Sequence, residues 1–150
     1  MKQFFIFLTF AMLSFTTKAQ TAADSIKTTI GKLFDGMKNS DAALLKTAFA
    51  DSAILQTISN NKEGKIIIEN DRVDDFAGII SKMQKGDADE RIIYDVIKID
   101  GPLAIVWAPY KFYYKGVFSH CGVDSFQLVK INGEWKIQYL IDTRKKAGCQ

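Results

Sequence analysis

Apolar positions recur at helical spacing in three stretches of the first half of the chain, and at a period of two from about residue 91 onward. Ile26, Ile30, Leu33, Phe34 and Met37 fall on one face of a helix predicted over residues 24–39, with Asp24 placed to cap it. Asn39-Ser40-Asp41 breaks that helix and caps a short second one, which gathers Leu44, Leu45, Ala48 and Phe49 on one side. Residues 53–58 read as a strand, 59–64 as a polar turn, and 65–69 as a second short strand. Asp71 then opens a third helix with Val73, Phe76, Ala77, Ile80 and Met83 inward, ended by Gly86.

The second half alternates. Asp100-Gly101, Lys115-Gly116 and Asn132-Gly133 are turn signals that divide it into strands over 91–100, 103–114, 117–130 and 134–143. Helices first and a strand meander last predict an α+β domain: three N-terminal helices on one face of a strongly curved, mostly antiparallel sheet. Asn132-Gly133 suits a two-residue hairpin turn pairing Ile131 with Glu134. Counting outward pairs Leu128 with Ile137, Phe126 with Tyr139, Asp124 with Ile141 and Gly122 with Thr143, all on one mostly apolar face. The opposite face takes Val129, Gln127, Val123 and Cys121 against Lys136, Gln138, Asp142 and Arg144. The Lys115-Gly116 turn pairs Tyr113 with Phe118, Lys111 with His120, Trp107 with Asp124 and Ile105 with Phe126. Pro109 cannot donate to a ladder and predicts an irregularity near it.

This count puts His120, the only histidine, on the inner face with Asp124. An imidazole titrates near neutral pH, and a nearby carboxylate would raise its pKa, so the two are candidates for an acid–base pair. An inward carboxylate must find partners or shift its own pKa. Trp107 and Tyr139 join them as candidate ligand-binding residues, each an apolar body with one polar tip. Phe34, Phe49, Phe76, Phe112, Phe118 and Phe126 read as core, and Asp142 and Arg144 as an outer-face ion pair. Cys121 points away from His120 on a strand, which excludes a Cys–His nucleophile. Asp71, Asp74 and Asp75 open a helix, where negative charge is favoured, and no His/Cys spacing suits a metal.

Composition and the chain start add a compartment. Lys2, an apolar run over residues 4–15, and small residues at Thr17 and Ala19 form a secretory signal pattern over 1–19, too short for a spanning helix. The expectation is export to a periplasm or beyond, with residues 20–150 as one domain. Losing Lys2 and Lys18 lowers the net charge from +3 to +1. Such a near-neutral surface offers no footprint for nucleic acid or an anionic membrane. Export permits a disulfide between Cys121 and Cys149, although Cys149 stands where chains usually fray, so the pairing stays open.

The element order, the segment FADSAILQTI (49–58) and the stretch SHCGVDSFQLVKINGEWKIQYLIDTR (119–144) resemble the nuclear transport factor 2-like superfamily, over essentially all of residues 22–144. Its members include ketosteroid isomerase, scytalone dehydratase and SnoaL-like cyclases, and the second segment looks like exported members described as "putative lumazine-binding". The resemblance implies a cone with an apolar pocket and a homodimer through the outer sheet face. It also argues against two chemistries. The ketosteroid isomerase base aligns with Thr57, next to Gln56, and neither is a carboxylate; scytalone dehydratase needs two histidines. The expected function is an exported binding protein for a small apolar or aromatic molecule, with no cofactor. The alternatives are a cofactor-free dehydratase or isomerase using His120 and Asp124, and a structural or dimerisation module with a closed core.

Overall fold

The computed structural model describes residues 21–149, so the expected leader and its expected cut after Ala19 lie outside the described residues. The elements are α1 (Ala22–Asn39), α2 (Ala42–Thr47), β1 (Phe49–Asn60), β2 (Ile66–Asp71), α3 (Val73–Ile80), β3 (Ala88–Ile92), β4 (Val96–Asp100), β5 (Leu103–Tyr114), β6 (Val117–Ile131) and β7 (Glu134–Thr143). Thr21, not Asp24, caps α1: its hydroxyl oxygen accepts the Asp24 N–H at 3.1 Å. Asp41 caps α2 through the Leu44 N–H at 2.9 Å. Phe49, expected on that helix, instead begins β1.

The strands form one sheet in the order β2-β1-β7-β6-β5-β3, with β4 also pairing β5. β1 and β7 are parallel; every other pair is antiparallel. The predicted α+β class therefore stands. Ala104, Val106 and Ala108 of β5, Phe126 and Leu128 of β6, and Trp135 and Ile137 of β7 form the inner face of the sheet. Ile26, Ile30 and Leu33 of α1 and Ile80 of α3 cover them. Each such side chain removed from water contributes roughly 1.5–3 kcal/mol before entropy is counted.

Two bulges correct the expected register. The Asn132-Gly133 turn has both residues at positive φ, 50° and 87°, as a type I′ hairpin requires. Ile131 pairs with Glu134 and Leu128 with Ile137, as counted. Gln127 then pairs with Tyr139, which leaves Gln138 as an extra residue. Beyond it Phe126 meets Leu140 and Asp124 meets Asp142. On the other hairpin Tyr113 pairs with Phe118, as counted, but Phe112 pairs with His120, so Ser119 is extra. Hence Asp124 faces Ala108 and Phe126 faces Val106, in place of Trp107 and Ile105. Because side chains alternate along a strand, one inserted residue exchanges inside and outside for everything beyond it. Gln138 is held by β1: its Nε2 donates to the Ser52 carbonyl at 2.9 Å, where β1 itself shifts register between Phe49 and Ile54.

Pro109 produces the irregularity expected of it, but on its other flank. It pairs in register with Val123 of β6. Its carbonyl faces β3 and β4, accepting the Ile93 N–H, and there the single strand expected over 91–100 is split around residues 93–95. Phe118, expected in the core, is 40 % exposed near the hairpin end. Cys121 and Cys149 are bridged, with 5.9 Å between their Cα atoms. The returning chain pairs Lys145 with Cys121 through two backbone hydrogen bonds of 2.9 Å.

Candidate functional site

The sheet curls over a cavity of about 170 Å³ closed by Leu33, Phe34 and Met37 of α1 and by Phe76 and Ile80 of α3. The exposed lining residues Asp71 and Ile79 mark its rim. Its sheet wall combines Leu55, Ala88, Phe112 and Leu140 with a cluster of polar side chains. Glu90 comes from β3, His120 and Asp124 from β6, Thr57 from β1, Asp142 from β7, and Arg144 from the residues just past it. A second concavity of about 330 Å³ lies beside β3 and β5, lined by Arg91, Ile92, Ile93, Asp95, Pro109, Tyr110 and Lys111; its charged residues Arg91, Asp95 and Lys111 are exposed.

Asp142 organises half of this wall. Its Oδ1 accepts the Thr57 hydroxyl at 2.6 Å. Its Oδ2 accepts the Tyr110 hydroxyl at 3.0 Å and Arg144 Nε at 3.0 Å. Arg144 Nη2 donates to Thr57 Oγ1 at 3.0 Å, closing the ring of contacts. The Tyr110 hydroxyl also lies 2.9 Å from the Thr143 carbonyl. Gly122 makes this approach possible, since a Cβ there would collide with that same carbonyl. Burial pushes the Tyr110 hydroxyl above its ordinary pKa, and Asp142 adds to it. Burial works against the charge on Arg144, yet Asp142 outweighs it and the guanidinium is held above its ordinary value.

Glu90 and Asp124 form the other half. Their carboxyls are in hydrogen-bonding contact with each other. Asp124 is only 3 % exposed, and no N–H or O–H of the described residues donates to its buried Oδ2. Burial, then the neighbouring Glu90 and Asp142 charges, raise Asp124 well above the carboxylate range. Burial is also the largest cause raising Glu90, against the contact with Asp124 and the charge of Arg144 that lower it. Two such carboxyls cannot both ionise at ordinary cost, so the pair holds a proton between them.

His120 lies beside this pair and is not hydrogen-bonded to Asp124. Its Nδ1 is 3.1 Å from the Ser119 hydroxyl, and its ring sits edge-on to Tyr110 and tilted against Phe112 at 5.0 Å between centroids. Its pKa is lowered, first by burial and then by Arg144, which together overcome Asp142. This reverses the expected carboxylate effect: the ring is a neutral group near pH 7.

Of the four expected binding residues, the structure brings His120 and Asp124 to the cavity. Trp107 and Tyr139 are not among its lining residues. Trp107 pairs with Ser125 on the outer face and is 47 % exposed. Tyr139 also turns outward past the Gln138 bulge, its hydroxyl donating to Gln56 Oε1 at 2.6 Å. Conversely, Asp142 and Arg144, expected on the outer face, line the cavity, Asp142 buried and Arg144 with a half-exposed side chain. Glu90 and Tyr110 were not singled out by the sequence, and Thr57 was named only as the position that aligns with the ketosteroid isomerase base. Glu90 was within reach, because extending the alternation from Ile92 back through Glu90 to Ala88 places it inward. Among the described residues no group of three or more His, Cys, Asp or Glu is disposed to hold a metal.

The family described as "Putative lumazine-binding" matches residues 21–139. No curated protein matches the chain in sequence. Several solved structures share its fold at low identity. A nuclear transport factor 2-like protein of unknown function from Shewanella baltica is 18 % identical, with 83 % of this chain and 94 % of that one covered and a TM-score of 0.64. Another from Methylobacillus flagellatus is 18 % identical, covering 82 % and 91 %, with a TM-score of 0.61. A protein of unknown function with a cystatin-like fold from Nostoc punctiforme is 14 % identical, covering 83 % and 93 %, with a TM-score of 0.64.

Proposed function

The chain belongs to the "Putative lumazine-binding" family, and from that premise we propose that it is an exported binding protein for a small flat molecule of about one ring. The observation that carries this reading is the cavity of about 170 Å³, apolar on its helix side and with a cluster of polar groups on its sheet side. A closed structural core leaves no such space. An apolar cavity of roughly 150 Å³ accommodates benzene, so one ring fits here. Phe34, Phe76 and Phe112 supply aromatic surface, and His120 and the carboxyls supply orientation. A dehydratase or isomerase built on a His120–Asp124 pair has less support, since those two side chains are not hydrogen-bonded and the pair that shares a proton is Glu90–Asp124.

Homodimerisation through the outer sheet face belongs to the same proposal. Leu103, Ile105 and Trp107 stand exposed along β5 on that face, and Ile54 of β1 stands exposed across Tyr139 and Gln127 from Ile105. Titration with toluene, followed by NMR of methionine methyls, tests the binding reading. Met37 and Met83 line the cavity and are expected to shift with saturation at one toluene per chain. Methyl signals that do not move at saturating toluene would refute the reading.

A further inference from the structure

The Glu90–Asp124 pair is short of hydrogen-bond donors. None of the described residues gives either carboxyl an N–H or an O–H; each has the other, and the proton they share. Four carboxyl oxygens with one hydrogen leave acceptor sites unfilled, and Asp124 is almost wholly buried on the cavity wall. The nearest cation does not fill them. Arg144 is committed to Asp142 through Nε and to Thr57 through Nη2. Every other buried acid of the wall is matched: Asp142 accepts from three donors. A buried acceptor left without a donor costs on the order of 1–3 kcal/mol, so a ligand that brings the missing hydrogens recovers that cost on binding.

The cavity limits what such a ligand looks like. Phe34, Phe76 and Phe112 require a flat apolar body, and the space holds about one ring. With Asp142 and Arg144 neutralising each other, the remaining charge deep in the wall is that of the carboxyl pair, negative whenever the pair loses its proton, with Asp71 at the exposed rim.

We propose that the cavity recognises a flat ring bearing an amidine-type N–C–N edge, whose two N–H groups donate to the Glu90 and Asp124 carboxyls. This rests on the binding reading above and names the ligand class for the same site. Paired N–H donors match paired carboxyl acceptors in geometry as well as in charge. A ring carrying only acceptors, such as a benzoate, meets carboxyls with nothing to give them.

The groups facing the pair predict how binding varies with pH. They are Tyr110 and His120, Asp142 and Arg144 from the sheet, uncharged Gln56 and Thr57 from β1, and the exposed Asp71 of β2 at the rim; α1 and α3 present only apolar side chains. As pH rises toward and past about 7 the pair gains negative charge, while His120, its pKa lowered by burial, loses any proton it carries at lower pH. An amidinium therefore binds more tightly as pH rises across that range.

Benzamidine, benzoate and toluene, titrated separately into the purified chain by NMR and calorimetry, test the proposal. The expected result is benzamidine tighter than toluene by about tenfold or more, and benzoate weaker than both. In Asp124→Asn, and independently in Glu90→Gln, the benzamidine-to-toluene ratio is expected to fall toward one. Toluene binding with no preference for benzamidine would overturn the ligand class and leave the binding reading intact. A wild-type ratio kept by both variants would overturn the ligand class as well. Failure of all three probes to bind the folded wild-type chain would overturn both.

Discussion

Single residues carry most of the chemistry. Glu90 and Asp124 are protonated more readily in the folded chain than in the unfolded one, so the folded state holds the extra proton. Their contribution to stability is complete below the unfolded carboxylate values and is lost as pH rises through the folded ones, about 7 for Glu90. His120 acts in the opposite sense: its lowered pKa costs stability as pH falls below its ordinary value. Comparing wild type with Glu90→Gln separates the two. Urea unfolding is expected to show Glu90→Gln more stable than wild type by on the order of 1 kcal/mol near pH 8, with the gain shrinking toward pH 5. On the other half of the wall, Thr57→Val removes the hydroxyl that both donates to Asp142 and accepts from Arg144. A cost of about 1–3 kcal/mol in unfolding free energy is expected, since the buried Asp142 loses a donor and the half-exposed Arg144 an acceptor. Gly122→Ala is predicted to cost more than Thr57→Val. Its Cβ runs into backbone at Thr143, which cannot rotate away as a side chain can.

At the scale of elements, what decides the site is two extra residues. Ser119 and Gln138 each sit on one strand of a hairpin and shift every partner beyond them by one. The sequence made the turns legible: Asn132-Gly133 and Lys115-Gly116 pair Ile131 with Glu134 and Tyr114 with Val117 as counted. It also made the inward parity of β6 legible, because His120, Asp124, Phe126 and Leu128 lie on one strand with no interruption between them. The facing strands were not legible. Nothing local distinguishes Gln138 as an unpaired residue, since its bulge is held by Ser52, distant in sequence. Trp107 and Tyr139 thereby moved out of the cavity, and Asp142 and Arg144 moved in. Deleting Gln138 is expected to destabilise the fold by more than about 3 kcal/mol, because either Asp142 or the Trp135–Ile137 stretch must then face the wrong side. A melting temperature unchanged by that deletion would show that the bulge does not set the register.

Over the whole molecule, the chain is closed by contacts between its ends. β1 lies parallel to β7, and the Cys121–Cys149 bridge returns residues beyond β7 onto β6 beside Arg144. A cross-link spanning 28 residues restricts the unfolded chain by about 3.6 kcal/mol in the loop-entropy account. Cys149→Ser is expected to lower the melting temperature without abolishing the fold, and reductant should leave that variant unaffected while bringing wild type down to it. The outer-face dimer belongs to this scale too. Light scattering is expected to give two chains per particle for wild type and one for Trp107→Arg; a monomeric wild type would remove the dimer from the proposal. By itself the sequence determined the element order, the α+β class, the hairpin turns and the inward face of β6. Each of these follows from local periodicity and turn chemistry, which act over a few residues. Only the tertiary structure decided that Glu90 meets Asp124, that Asp142 and Arg144 line the cavity, and that the cysteines pair. Those outcomes depend on bulges and end-to-end contacts between segments far apart in the chain, where a single extra residue reverses which side chains meet.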